Sequence, residues 1–155
     1  MKEIRFELKW EELSVQELSE TESRLMGDAI QAADRAYAPY SRFHVGVALL
    51  LANGEIITGN NQENAAYPSG LCAERVALFY AGAQYPDVPV QLMAVVASVN
   101  GKIQPQISPC GSCRQVLLET EHRGKQPIRI LLCGKDKVRI VSSATDLLPL
   151  SFSMD

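Results

Sequence analysis

The chain begins with a strict alternation. Ile4, Phe6, Leu8 and Trp10 fall on one side of an extended backbone and Glu3, Arg5, Glu7 and Lys9 on the other. A period of two marks a strand with one covered face, which predicts an added edge strand here. The period then lengthens. Leu25, Met26, Ala29, Ile30, Ala33 and Ala36 recur at helical spacing, with Ser19 and Glu22 as a capping box at the start. Ser14 with Glu17 offers an earlier start, and the helix is expected to stop before Pro39. Val45 to Leu51 reads as a buried strand, Asn53-Gly54 as a tight turn, and Glu55 to Thr58 as the antiparallel partner. Leu71 to Ala83 is helical, Leu92 to Val99 a strand, Gly111 to Glu121 helical again, and Ile128 to Cys133 another buried strand.

The stretch from Cys133 to Val138 has room only for a turn. A parallel crossover needs a dozen or more residues, so Val138 to Val141 should return antiparallel to its predecessor. The pattern predicts an α/β fold: a three-layer α-β-α sandwich around a mixed five-stranded sheet, with a further strand at the N-terminus. Residues 1–155 suit one domain, of which residues 1–13 form an N-terminal extension.

Composition narrows the function. No apolar run approaches the roughly 20 residues of a membrane span, and Lys2, Glu3, Arg5, Glu7 and Lys9 interrupt any signal-peptide core. The expected location is the cytoplasm. The net charge is −3, with Lys and Arg scattered along the chain. A nucleic-acid substrate normally demands a basic footprint, so neither DNA nor RNA is the expected partner. Four cysteines in a cytoplasmic chain point to metal or catalysis more than to disulfides.

Their placement carries the chemistry. Cys72-Ala73-Glu74-Arg75 and Pro109-Cys110-Gly111-Ser112-Cys113-Arg114-Gln115 each open a predicted helix. A helix N-terminus offers unpaired N–H groups and partial positive charge, which favour thiolate. Two such starts facing each other would hold one Zn²⁺ on Cys72, Cys110 and Cys113. Three protein ligands leave the fourth tetrahedral position for water, the mark of a catalytic zinc site. Glu74, two residues beyond the first ligand, would lie beside the metal without binding it, where a proton shuttle belongs. Three thiolates against Zn²⁺ leave a net −1, which Arg75 or Arg114 could offset by donating to sulfur; Arg75 is the favoured one. A structural zinc site or a redox pair would explain the Cys-x-x-Cys, but neither accounts for Glu74 or Pro109. Cys133, in an apolar run, reads as a core residue, and His44 and His122 lie outside both motifs.

Cys-x-Glu followed by Pro-Cys-x-x-Cys is the pattern of zinc deaminases. Further blocks are Ala36-Tyr37-Ala38-Pro39-Tyr40-Ser41-x-Phe43-x-Val45-Gly46, Asn61-x-Glu63-Asn64-Ala65, and Leu147-Leu148-Pro149-x-x-Phe152. With these, the chain resembles the small homotetrameric cytidine deaminases over roughly residues 22 to 153. The resemblance implies hydrolytic deamination of cytidine and deoxycytidine in pyrimidine salvage. It also implies a nucleoside substrate and roles for particular residues. Asn61 and Glu63 would hold the ribose 3′-hydroxyl, and Phe43 would pack against sugar and base. The backbone at Ala73 would read the 4-amino edge, and Glu74 would bond N3. Phe152 would stack on the base bound in a neighbouring subunit of a homotetramer, with Tyr67 near the subunit junction. His44, Ala66 and Pro68-Ser69 depart from the family pattern. The nearest rival is a deaminase of a modified cytosine nucleoside of the blasticidin S type; the Leu-Leu-Pro-x-x-Phe tail speaks for the cytidine enzyme. A nucleic-acid base editor would usually carry His as first ligand.

Overall fold

The computed structural model describes residues 1–154. Its elements in chain order are β1 (Glu11–Ser14), α1 (Glu20–Ala33), β2 (Phe43–Leu51), β3 (Ile56–Asn60) and α2 (Ala73–Gln84). They continue with β4 (Val90–Val99), β5 (Lys102–Ile103), α3 (Gly111–Gly124), β6 (Arg129–Cys133) and β7 (Lys137–Val141). The strands form one sheet in the order β1-β7-β6-β4-β2-β3, with β5 clipped to the end of β4. Among neighbouring strands of the described residues only β4 and β6 pair in parallel; the hairpin-linked pairs β2–β3 and β6–β7 are antiparallel, as their short connections require.

Side-chain alternation divides the core between two faces. Leu25, Met26 and Ala29 of α1 cover Ala48, Ala94, Leu131 and Ile140. Ala73, Ala77 and Leu78 of α2, with Leu117 of α3, cover Val47, Leu49, Met93 and Ile130 on the other side. The result is the three-layer α-β-α sandwich. Both helices on β2 and β3 sit close because the strand beneath them lacks a side chain. A Cβ at Gly46 would meet the backbone of Ala29 and Ala33, and one at Gly59 would fall 2.7 Å from the Ala77 nitrogen. The β2–β3 turn uses Gly54 at φ +87°, and its Asn53 side chain accepts from the Glu55 N–H at 3.1 Å.

Both predicted capping boxes are present. Ser14 and Glu17 open a single 3₁₀ turn, and Ser19 and Glu22 then start α1. Three expectations need correction. The helix ends at Ala33, well before Pro39, and Ala36 lies outside it. The sheet has seven strands, the two additional ones being the four-residue β1 and the two-residue β5. The N-terminal strand is β1, later than the alternating stretch. Glu11 pairs with Ile140 and Ser14 with Lys137. Continuing that register backwards, Trp10 would face Val141, the last residue of β7, and residues 2–9 would run past it, so that stretch finds no partner on β7.

Topology gathers one end of the sheet into a site. β3 and β4 are both antiparallel to β2 and so run the same way; β4 and β6 do too. α2 connects β3 to β4, and α3 connects β4 to β6. Both helices therefore begin just beyond the C-terminal ends of strands, at the same rim where β2 starts with Phe43. In open α/β sheets this rim is where ligands bind.

Candidate active site

Two helices begin on cysteine. Cys72 is the N-cap of α2 and Cys110 of α3, both with extended backbone and neither making a side-chain capping bond. Their sulfurs lie 3.9 Å apart. Cys113, one turn into α3 and fully buried, brings its sulfur to 3.4 Å from that of Cys110. All three sulfurs lie within 4.8 Å of one another, and none is in a disulfide. A tetrahedral zinc with bonds of about 2.3 Å spans sulfurs roughly 3.8 Å apart. The spacing and the all-thiol donor set fit one zinc ion.

Arg75 points its Nη2 at the Cys72 sulfur, 3.7 Å away. The Cys72 thiol is pulled down to about 5, first by the hydrogen bond from Cys113 and then by Arg75, against the opposing effect of burial. Cys113 moves upward, because it keeps the proton it shares with Cys72 and because it is buried. Thiolate character thus gathers on the sulfur nearest the arginine. Glu74 follows in the first turn of α2 and is 4% exposed. Burial raises its pKa above the ordinary glutamate value, and the neighbouring Cys72 charge adds to the rise. Such a carboxyl can accept and return a proton more evenly than a solvated one.

Arg114 does not join Arg75 in contacting sulfur. Its Nε donates to the Pro109 carbonyl at 2.8 Å and its Nη1 to the Leu147 carbonyl at 3.0 Å. It braces the loop that delivers Cys110 against the C-terminal turn. Asn61 and Glu63 are also engaged. Asn61 accepts from the Val45 N–H at 2.8 Å and donates to the Phe43 carbonyl at 2.9 Å. Glu63 accepts from the N–H groups of Tyr40 and Ser41 and from the Ser41 hydroxyl. Those bonds, the Ser41 hydroxyl foremost, hold its pKa below the usual value. Each keeps capacity for a ligand: an amide has a second N–H, and a carboxylate about four acceptor sites. Ser41 had drawn no role from the sequence, though its hydroxyl also receives the Phe43 N–H at 3.0 Å. The Tyr40-Ser41-x-Phe43 run was its signal.

Phe43 is half-buried against the core beneath α2, and Ala73 is fully buried at the α2 start. Phe152 is 71% exposed, with its carbonyl held by Gln115 Nε2 at 3.0 Å. Tyr67 is exposed in a 3₁₀ turn ahead of Cys72. Cys133 is buried in the core, its thiol pushed up to about 12 by desolvation, as befits an inert residue. His44 lies with Nδ1 3.3 Å from the Ala33 carbonyl, and His122 is exposed in the last turn of α3.

Fold and site together define an α/β protein with a three-thiol metal centre at two paired helix starts and a buried carboxyl beside it. The family model for the cytidine and deoxycytidylate deaminase zinc-binding region matches residues 19–125. A cytidine deaminase from Sporosarcina psychrophila is 38% identical over 132 residues, covering 85% of this chain and 91% of its own length. One from Halalkalibacterium halodurans is 47% identical over 95 residues, 61% of this chain and 68% of that protein. Among solved structures, cytidine deaminase from Burkholderia pseudomallei superposes with a TM-score of 0.72 at 41% identity, covering 84% of this chain and 98% of that one. The Mycobacterium tuberculosis enzyme gives 0.67 at 37% identity, covering 85% and 97%. This chain belongs to the zinc-dependent cytidine deaminase family.

Proposed function

We propose that the protein hydrolyses cytidine and 2′-deoxycytidine to uridine and 2′-deoxyuridine, releasing ammonia, as a step of pyrimidine salvage in the cytoplasm. The observation that carries this reading is the buried Glu74 carboxyl in the first turn of α2, beside three clustered sulfurs. Cys72, Cys110 and Cys113 would hold the zinc ion, which when bound lowers the pKa of a water from 15.7 to roughly 7. Glu74 takes the proton from that water and delivers it to pyrimidine N3 as oxygen adds at C4. It then takes the proton from the new C4 hydroxyl and passes it to the 4-amino group, which departs as ammonia and leaves the 4-oxo product protonated at N3. Arg75 offsets the excess negative charge of three thiolates through its bond to Cys72.

The Ala73 backbone orients the amino edge, Phe43 packs on the nucleoside, and Asn61 with Glu63 takes the 3′-hydroxyl. A 3′-hydroxyl contact ignores the 2′ position, so both sugars are substrates. The working form is a homotetramer in which Phe152 reaches a neighbouring site; its exposure and its anchoring by Gln115 suit that role. No helix among the described residues is long and apolar enough to cross a membrane. The test is direct. The zinc-loaded protein is incubated with cytidine, deoxycytidine, dCMP, cytosine and blasticidin S, and loss of the cytosine chromophore is followed. Turnover of the first two alone is expected; turnover of neither overturns the reading.

A further inference from the structure

We propose that residues 2–10 pair with the same residues of a second copy of this chain, as an antiparallel ribbon with its two-fold axis at Phe6. The inference is independent of the deaminase reading. These residues form neither strand nor helix on their own chain. Ile4 is 71% exposed, Phe6 64%, Leu8 48% and Trp10 50%, a continuous apolar stripe of the kind that marks an interaction surface. The segment also lies ahead of the family model, which begins at residue 19.

The charges on its other side identify the occupant. Glu3, Arg5, Glu7 and Lys9 alternate in sign, and among the described residues they pair only with each other, Arg5 with Glu3 and Lys9 with Glu7. In an antiparallel ribbon whose facing residue numbers add to 12, Glu3 meets Lys9 and Arg5 meets Glu7, each twice by symmetry. On the opposite face Ile4 meets Leu8, Phe6 meets its own counterpart, and Lys2 meets Trp10 at each end. Opposite charges directly across a ribbon attract and like charges repel. Slipping the register by one residue sets apolar side chains against charged ones. A sum of 10 sets Glu3 on Glu7 and Arg5 on Arg5; a sum of 14 sets Glu7 on Glu7. A sum of 8 retains only the Glu3–Arg5 pairs. A sum of 16 keeps the Glu7–Lys9 pairs, but it matches Arg5 only with Glu11, already 3.7 Å from Arg129, leaves Glu3 against Leu13 and lays Ile4 on Glu12. A parallel in-register pair stacks like on like. The pattern is self-complementary about one point, which is what an isologous contact between identical chains requires.

The base of the segment is suited to carry it. Trp10 lies over the Arg139 guanidinium, 5.2 Å from centroid to carbon, and β1 is the last strand at its end of the sheet. A ribbon leaving that edge extends the sheet toward the second copy, the recurrent mode of edge-strand association.

The full chain carrying photoreactive p-benzoylphenylalanine at position 6 is irradiated, and the joined peptides are mapped by mass spectrometry. Covalent dimers linking position 6 to the segment around Phe6 of the other copy are expected. Arg5→Glu should lower their yield about tenfold, and adding Glu7→Arg should restore it. Both positions are solvent-exposed and remote from the core, so the variants fold, and their cytidine turnover should match the parent. Links to the same chain or to the body of another copy overturn the proposal. So do absent links, or a yield indifferent to Arg5→Glu. A label at position 8 that joins its own counterpart, and not the Ile4 region, overturns the register.

Discussion

Glu22 and Glu74 are both acidic residues in the first turn of a helix, where unpaired amides and the macrodipole favour an anion. Their pKa values nevertheless move in opposite directions. Glu22 is partly buried, which tends to raise it, but its carboxylate receives the Ser19 N–H at 3.0 Å, the Ser19 hydroxyl at 2.8 Å and Arg129 Nε at 3.1 Å. The net result is a pKa below the ordinary value. Glu74 has lost nearly all its water, and desolvation raises it. A helix start alone does not decide the protonation of a carboxylate; the supply of donors against the loss of solvent does. One start is closed on itself. The other is left open for a ligand and a proton.

The widest test of that contrast is turnover. Glu74→Gln keeps the size and the burial but removes the exchangeable carboxyl. Its kcat on cytidine should fall by at least about a thousandfold with zinc content unchanged, in the upper range for loss of a positioned acid–base group. Glu22→Gln should leave kcat within about twofold, since it touches no part of the site. Near-parental turnover in Glu74→Gln, measured with zinc quantified on the same sample, breaks the assignment.

The cysteine caps offer the next step. Serine is among the best N-caps and cysteine is not, so Cys110→Ser should close the α3 start as Ser19 closes α1. Zinc content and turnover are expected to collapse. The metal-free variant, however, should unfold higher than the metal-free parent by up to about 1 kcal/mol. Lower stability in that comparison would mean that the open cap carries no cost.

The pH dependence of stability should separate the two carboxyls by sign. Glu22 has a lowered folded pKa, so its contribution is present above the ordinary value of 4.5 and fades as pH falls through the folded pKa. Glu74 has a raised folded pKa, so its neutral form favours folding below 4.5, and that advantage is lost as pH rises through the folded pKa. Thermal unfolding of metal-free protein across the acid range should show the Glu22→Gln penalty growing as pH increases. Over the same range Glu74→Gln should become progressively more stable than its parent. Parallel trends in the two variants would remove the distinction.

Much of this was legible before any coordinates. Apolar runs and helical spacing mark the five central strands and three helices, because the strands are covered on both faces and each helix buries one side against the sheet. The two cysteine motifs announced the metal site, since their spacing gathers sulfurs within a turn of a helix start. What stayed hidden depended on long-range partners. The alternation of Ile4 to Trp10 is a true strand pattern, but it could not reveal that β7 runs out at Val141. Arg114 follows Cys113 directly, yet its carbonyl partners at Pro109 and Leu147 come from two loops that only the fold brings together. Asn61 and Glu63 carry backbone bonds to β2 and the 40–41 turn that no spacing encodes.

The smallest effect belongs to the closed helix start itself. In Ser19→Ala the hydroxyl that accepts the Glu22 N–H at 3.3 Å and donates to its carboxylate is gone. The backbone bond from Ser19 N–H to Glu22 survives, as does the pairing of Glu22 with Arg129. The loss should be about 1 kcal/mol, a typical capping value, or roughly 2–4 °C in Tm for a domain of this size. Ser19→Thr keeps an oxygen at the same place and should recover most of it. Because α1 lies on the face of the sheet opposite α2 and α3, KM and kcat for cytidine should not change in either variant. If Ser19→Ala altered turnover at temperatures where it remains folded, the start of α1 would be coupled to the site across the sheet. The division between a closed, stabilising helix start and open, reactive ones would then fail.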